Sequence, residues 1–543
     1  MTVTPISIDN TPIVAHTQPR LSKSRIMSGL QCHKRLWLET YHRELIVYGE
    51  ASQAAFAQGN FFGELARDLI AHTEQQSSYL IAATEDPQQA LKDTAIALDN
   101  YGVLFEPAFR YEGVFVRTDA LIRHDRGDNE PSYTMIEVKA ASNVKPQYIR
   151  DSAIQIWVLR GTGLNVTRVE LGYVNTHFIY DGDSYTGLLK RDNITIQVEN
   201  ELLRIQGWID EQRDMLRLSN PPNIAMGRHC TSPYTCPFLN HCTDNQPIDT
   251  VDKPEFSIML LPGVKGKVLA RRLQELGHTD LLKVPTNQLE PFEFVQEVYR
   301  SGQPWHNVSL AYSSLMAHPK PWAYLDFETI SPAVPLWAGM QPFSHWPFQW
   351  SVHLEPICSP SIDFSNPINL TNLTNLSVNH HTHHDFLDLT GKNPSLACVE
   401  KLLSTLQNAN TIWAYNAAFE RQIILRLAKF LPQYTLALQQ LAAKLQDLIP
   451  IVQSCYYHPA MQGSYSLKSV LPAIAPELDY QHLQGVQNGN AAQSAFFEAT
   501  STHCTPERQA QLNAQLRAYC QLDTWAMVVL VERLLTPQSS NIY

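Results

Sequence analysis

The stretch Trp322-Ala323-Tyr324-Leu325-Asp326-Phe327-Glu328-Thr329-Ile330 decides how the second half of the chain is read. It reads as a short strand. Strand side chains alternate, so Asp326 and Glu328 share one face while Leu325 and Phe327 turn the other way, into a core. Two carboxylates two residues apart on a rigid element repel unless something neutralises them. A bound divalent cation would do so, and an exposed polar edge is the alternative. Residues further along the chain bear on that choice.

Downstream, Phe348 to His353 reads as a second strand. Residues 355–395 are rich in Asn, Ser, Thr, Pro and His and read as an irregular insertion. Its His380, His381, His383 and His384 are expected on an exposed polar loop rather than at a metal. Thr411 to Tyr415 reads as a buried strand, with Asn416 as N-cap of a helix. That helix carries Glu420 in its first turn and turns Ile423, Ile424 and Leu427 to the core. The helix dipole favours an acid there, and a third metal-site acid is the other reading. Asp447 receives no role, and Gly463 to Lys468 opens a further helix. Arg517 to Leu535 is an amphipathic helix burying Leu522, Ala526, Val529 and Leu530, on which Tyr519 and Asp523 lie together, four apart.

Asp-x-Glu on a strand, an acid after Asn-x-x-Phe, and Tyr-x-x-x-Asp on a late helix resemble the DnaQ-like DEDD exonucleases, tyrosine subclass, over roughly residues 320–535. The resemblance implies a ribonuclease-H-like fold in which Asp326, Glu328, Glu420 and Asp523 hold two Mg²⁺ or Mn²⁺ ions. Tyr519 would position the attacking water. Glu420 departs from the superfamily, which usually has Asp, and its extra methylene would shift a metal. Trp322 and Trp525 are expected to pack in the core rather than stack on bases.

In the amino-terminal half, residues 1–20 read as a loose arm. Lys23, Arg25, Lys34 and Arg35 then surround Cys32. Ala51 to Ala71 reads as a helix on Phe61, Leu65 and Leu69 at four-residue spacing, with Glu64 along it. Val114 to Asp119 and Tyr133 to Ala140 read as strands, the second with Glu137 and Lys139 on one face and Ile136 and Val138 on the other. An acid followed by Glu-x-Lys on a neighbouring strand is a metal-dependent nuclease arrangement. Asp119 and Glu137 offer oxygen ligands to Mg²⁺, and Lys139 orients or activates water and offsets phosphate charge. A helix from Asp151 to Leu159 with Gln155 follows. Cys230, Cys236 and Cys242 have five residues between successive members, unlike the CxxC usual for structural zinc.

With Cys32, this order resembles the RecB-like PD-(D/E)XK nucleases that carry a 4Fe-4S cluster, including their CRISPR-associated and helicase-linked branches. Four thiolates complete the ligand set of such a cluster. A zinc site with His229 or His241 as fourth ligand is the alternative. The resemblance implies that Cys32, Cys230, Cys236 and Cys242 hold the cluster and staple the ends of the domain. It also makes Glu64, Asp119, Glu137, Lys139 and Gln155 site residues, although several relatives carry His at the place of Glu64. The whole chain further resembles a bacterial family known only as a domain of unknown function fused to a RecB-like nuclease.

A chain of 543 residues holds two or three domains. The expected α/β organisation is a PD-(D/E)XK domain over 21–245, a helical connector over 246–318 and a DnaQ-like domain over 319–543. The connector's Leu260-Leu261-Pro262-Gly263-Val264 turn before a basic helix is similar to a helix-hairpin-helix element, and a plain spacer is the alternative. The net charge of -11 offers no global attraction for nucleic acid, so local basic surface and bound cations must supply it. No apolar run reaches the ~18 residues of a membrane span. The polar start with Pro5, Pro12 and Pro19 lacks a signal pattern, so the cytoplasm is expected. Nine cysteines in such a chain argue against a disulfide framework. The expected function is a two-site exonuclease on single-stranded DNA ends, 3′ to 5′ in the carboxy-terminal domain. The alternatives are that one site is only a nucleic-acid clamp, or that the chain is a non-enzymatic iron–sulfur DNA-binding protein.

Overall fold

A computed structural model describes residues 21–84, 86–126, 129–245, 254–356, 381–478, 483 and 485–536. The expected arm (1–20), His380 and most of the expected insertion lie outside them. The chain is mixed α/β and divides into two units, Met1–Phe178 with Ser184–Pro247, and Ile179–Asp183 with Ile248–Tyr543.

The first unit contains β1 (Leu21–Ser22), α1 (Lys23–Gln31), α2 (His33–Tyr41), α3 (Glu50–Glu74), β2 (Ser78–Leu80), α4 (Pro87–Asn100), β3 (Val103–Phe105), β4 (Ala108–Tyr111), β5 (Val114–Arg117), β6 (Ala120–Arg126), β7 (Asn129–Lys139), α5 (Pro146–Gly161), β8 (Val166–Val174), β9 (Leu189–Asn193), α6 (Thr195–Met215) and α7 (Leu239–Asp244). Six strands form one sheet in the order β2-β3-β6-β7-β8-β9, and β1-β5-β4 form a second. On β7, Ile136 joins a small core with Ile70, Val103 and Phe105. Met135, on the other face, joins the main core with Ile154 and Leu159 of α5. The period of two therefore turns Glu137 and Lys139 towards α5.

The buried stripe of α3 is Phe62, Ala66 and Ile70, while Phe61 is 52% exposed. The expected stripe (Phe61, Leu65, Leu69) is thus displaced by one residue. Both sets keep the same spacing, and the pattern alone does not distinguish them. The displacement leaves Glu64 on the exposed side.

The second unit contains α8 (Gly263–Glu275), α9 (Glu293–Ser301), β10 (Trp305–His306), α10 (Val308–Met316), β11 (Trp322–Ile330), β12 (Trp346–Leu354), β13 (Thr382–Leu387), α11 (Ser395–Leu406), β14 (Thr411–Ala414), α12 (Ala417–Phe430), α13 (Thr435–Ala443), β15 (Leu445–Asp447), α14 (Leu448–Cys455), β16 (Tyr456–Tyr457), α15 (Leu467–Ile474), α16 (Gly489–Ala499) and α17 (Pro506–Leu535). Its five-stranded sheet has the order β13-β12-β11-β14-β15. β11 is central, antiparallel to β12 and parallel to β14. Both faces of β11 are covered. Ala323, Leu325 and Phe327 pack with residues of α11, α12 and α13. Trp322, Tyr324 and Ile330 pack in a second core with residues of α10, α14, α16 and α17. A strand buried on two sides reads as a nearly continuous apolar run, which makes the two acids in it conspicuous. Ile258, Leu261 and Leu273 of the expected connector belong to that second core.

Two local expectations are corrected. β13, paired antiparallel with β12, lies inside the stretch read as irregular. Asn416 precedes α12 but is left-handed, with φ 76°, and makes no side-chain cap. The Asp447 carboxylate caps instead, accepting from the backbone N–H groups of Asn416 (3.2 Å), Ala417 (3.1 Å) and, at the start of its own helix α14, Ile449 (2.9 Å). One side chain thus satisfies donors of two helix starts. Asp447→Ala is expected to cost about 2–3 kcal/mol in a denaturant titration, since a single cap is worth ~1 kcal/mol and buried donors are left unpaired. Asp447→Asn should retain most of that stability.

Candidate functional site

Three elements of the second unit bring acids together. β11 supplies Asp326 and Glu328 on the face towards α17, and α12 supplies Glu420 one turn after the start that Asp447 pins. α17 supplies Tyr519, Cys520 and Asp523. α17 is held across the sheet by polar bonds to β12. The Thr524 hydroxyl meets Ser351 Oγ at 2.7 Å and His353 Nδ1 at 2.8 Å, and Gln349 Nε2 donates to the Leu516 carbonyl at 2.9 Å.

Glu328, Glu420 and Asp523 are 6%, 3% and 8% exposed. One oxygen each of Asp326 and Glu328 and the Cys520 sulfur lie within 4.8 Å of one another. Burial, then repulsion from Asp523, holds the Asp326 carboxyl well above its ordinary range. Burial and repulsion from Asp326 do the same for Glu328, and burial with Asp326 and Glu328 for Glu420. Glu420 accepts from the Phe327 N–H, yet its Oε2 is buried without a hydrogen-bond partner. Burial and the neighbouring acids push the Tyr519 phenol far up, and it bonds to Asp523. Tyr519 is therefore a neutral donor as long as those acids lack a counter-charge. All five residues expected here converge. Cys520, whose Sγ lies 3.9 Å from Asp326 Oδ2, was not singled out in the sequence, although it sits next to Tyr519 and three residues from Asp523 on one helix face.

In the first unit, Glu137 is fully buried and surrounded by donors. Lys139 Nζ lies 2.5 Å from its Oε1, Lys23 Nζ 3.0 Å from the same oxygen, and Gln155 Nε2 2.7 Å from Oε2. Both lysines also reach Asp151, at 2.8 Å from Lys139 and 3.5 Å from Lys23. Burial alone would raise the Glu137 carboxyl, but Lys139 and Lys23 outweigh it and hold it well below the carboxylate range. Asp119 accepts from the Val138 N–H. Burial and Glu137 push its carboxyl up to about 7, against the pull of Lys23 and Lys139. Asp119, Glu137, Lys139 and Gln155 come together as expected. Glu64 is exposed on α3 and stands outside the hydrogen bonds that join Asp119, Glu137, Lys139 and Gln155 to their neighbours. Lys23, grouped in the sequence with the basic residues around Cys32, belongs here instead. Asp151, expected to start a helix, lies inside α5, one turn before Gln155.

Cys32, Cys230, Cys236 and Cys242 line one cavity together with Lys34, Arg35 and His229. All four are free thiols. Burial pushes Cys236 up to about 11, with Cys242 and Cys32 adding to the rise and Arg35 opposing it. Cys32 stands between α1 and α2, as C-cap of one and N-cap of the other. His241 is not among the lining residues.

Residues 323–466 match the model of a family described as a domain of unknown function (DUF2779). An uncharacterized protein of Mycoplasma genitalium is 25% identical over 220 residues, covering 38% of this chain and 31% of that protein. The chain thus spans about a third of the length of that curated relative. The crystal structure of SSO0001 aligns at 16% identity over 43% of this chain and 90% of its own, with a TM-score of 0.22, too low to carry an argument. Among the described residues, no helix is long and apolar enough to cross a membrane.

The carboxylates of the second unit set a stability signature. Their folded values are raised above the unfolded ones, so the folded state binds more protons between the two. Stability therefore falls as pH rises from about 4 through that range, by up to about 1.4 kcal/mol per pH unit for each group. With cations chelated, the melting temperature is expected to drop between pH 5 and 8.5. Mn²⁺ should restore more of it at pH 8 than at pH 5, and Glu420→Gln should flatten both effects in a thermal scan. An equal Mn²⁺ shift at both pH values contradicts this.

Proposed function

We propose that the chain is a metal-dependent nuclease with two sites, acting as an exonuclease on single-stranded DNA ends, 3′ to 5′ at the Asp326 site. In this reading the second unit has a ribonuclease-H-like fold. The first is of the PD-(D/E)XK type, stapled by a 4Fe-4S cluster. The observation that carries it is Glu420 Oε2, a carboxylate oxygen buried without a partner among three further acids. Buried polar atoms are nearly always satisfied, and an unpaired one beside like charges fits a hard cation with oxygen ligands.

Asp326, Glu328, Glu420 and Asp523 would hold Mg²⁺ or Mn²⁺. When bound, such ions acidify the attacking water and stabilise the leaving oxygen. Tyr519 orients Asp523 by its hydrogen bond and is placed to donate to the attacking water. Because the phenol stays protonated, it orients that water and does not take up its proton. At the Asp119 site, Asp151 and Glu137 outweigh the effect of burial and hold Lys139 firmly charged. Its part is therefore to bind phosphate and stabilise charge, not to abstract a proton.

Cys32, Cys230, Cys236 and Cys242 line one cavity, and four thiolates would complete the ligand set of a 4Fe-4S cluster. Lys34 and Arg35 would offset its negative charge.

One observation favours the reading in which a single site cuts. Glu137 is satisfied by Lys139, Lys23 and Gln155 without any metal, whereas Glu420 is not. Digestion of 5′- and 3′-labelled single-stranded DNA and RNA with Mg²⁺ or Mn²⁺ decides. Asp326→Ala is expected to lower 3′ shortening about 10²-fold or more, and Asp119→Ala to remove a separate cleavage pattern. If Asp119→Ala changes nothing, the first site is a clamp; if neither variant changes degradation, the nuclease reading falls. Purified protein should show visible sulfur-to-iron absorption that Cys236→Ser abolishes, and a colourless, zinc-containing protein would contradict the cluster.

A further inference from the structure

We propose that Lys468 is the substrate-binding residue that receives the phosphate of the nucleotide entering the Asp326 pocket, an inference that rests on the nuclease reading and adds to it the group that admits a polyanion. Lys468 is the second residue of α15 and is exposed. Its Nζ stands over the Tyr519 ring, 5.4 Å from the centroid, and donates to the Gln487 carbonyl oxygen. Two residues on, Gly489 opens α16 against the acids, where a Cβ would lie 3.7 Å from Glu328 Oε2. The starts of α15 and α16 thus both border the pocket, with Lys468 reaching across from one to the other.

Charge explains why a cation is wanted there. Four carboxylates and two divalent ions sum to zero, so a phosphodiester entering with one negative charge finds no net attraction. Lys468 is the cation whose field pulls both Asp326 and Glu328 down. Arg517, on the helix that carries the site, pairs with Asp385. A lysine is a compact point charge on a flexible stem. It suits a phosphate contact indifferent to base and able to follow a strand as it shortens.

The test is binding of a fluorescent single-stranded oligonucleotide in Ca²⁺ across a salt series, with cleavage measured in Mg²⁺. Lys468→Met is expected to weaken binding about tenfold and to reduce the salt slope by about 0.7, the value of one lost phosphate contact on a single strand. KM should rise with little change in kcat, and Lys468→Arg should stay within a few-fold of wild type. The Mn²⁺-induced rise in melting temperature should persist in both variants, which also verifies that they fold. Wild-type affinity and salt slope in Lys468→Met, while Asp326→Asn abolishes cleavage, would overturn the assignment and leave the nuclease reading standing. A wild-type protein that neither binds nor cuts overturns both.

Discussion

Carboxyl groups withdrawn from water and pressed together are the constraint on which the second unit depends. Each loses hydration on burial, and each raises the cost of ionising its neighbours. The fold nevertheless brings four of them to one place and fixes the elements that carry them. β11 is the central strand, buried on both faces, so Asp326 and Glu328 have little freedom. α17 is tied to β12 through Thr524 and Gln349. α12 starts where Asp447 gathers its first donors. Polar bonds outside the cluster thus hold together groups that repel one another.

The first unit solves the same problem internally. Its acids have resident lysines, with Lys23 and Lys139 bridging Glu137 and Asp151. Lys23 opens the helix whose far end is capped by Cys32. The helix that delivers a cation to the acidic cluster is therefore the one that delivers a thiol to the cysteine cavity. A divalent ion at Asp119 and Glu137 must share Glu137 with two ammonium groups. At Asp326 and Glu328, among the described residues, the cation it meets is Lys468, at the margin. The two clusters should differ in their need for metal, the second being the more dependent.

Much of this was legible in the sequence because the acids interrupt patterns that are otherwise apolar. Asp326 and Glu328 stand out in a run buried on both sides, and Tyr519 and Asp523 stand out at helical spacing. What was missed follows from contacts that spacing does not encode. The stripe of α3 falls on Phe62 rather than Phe61 because a four-residue repeat leaves its phase open, and Glu64 is turned outward with it. Lys23 is 114 residues from Glu137 in sequence, and they meet through the packing of α1 on α5, α6 and β5. Asp447 caps a helix start thirty residues away, so the cap expected of Asn416 comes from a side chain that local spacing does not reveal. β13 was hidden because its His and Asp content reads as loop, whereas its edge pairing with β12 makes it a strand.

On the proposed reading, the four acids of the second unit hold a hard cation. Crystals soaked in Mn²⁺ and examined at the manganese absorption edge test it most directly. An anomalous peak bounded by Asp326, Glu328, Glu420 and Asp523, absent in Glu420→Gln or much weakened there, is the predicted result. Carboxyl groups at this spacing with no anomalous density between them at neutral pH would contradict it.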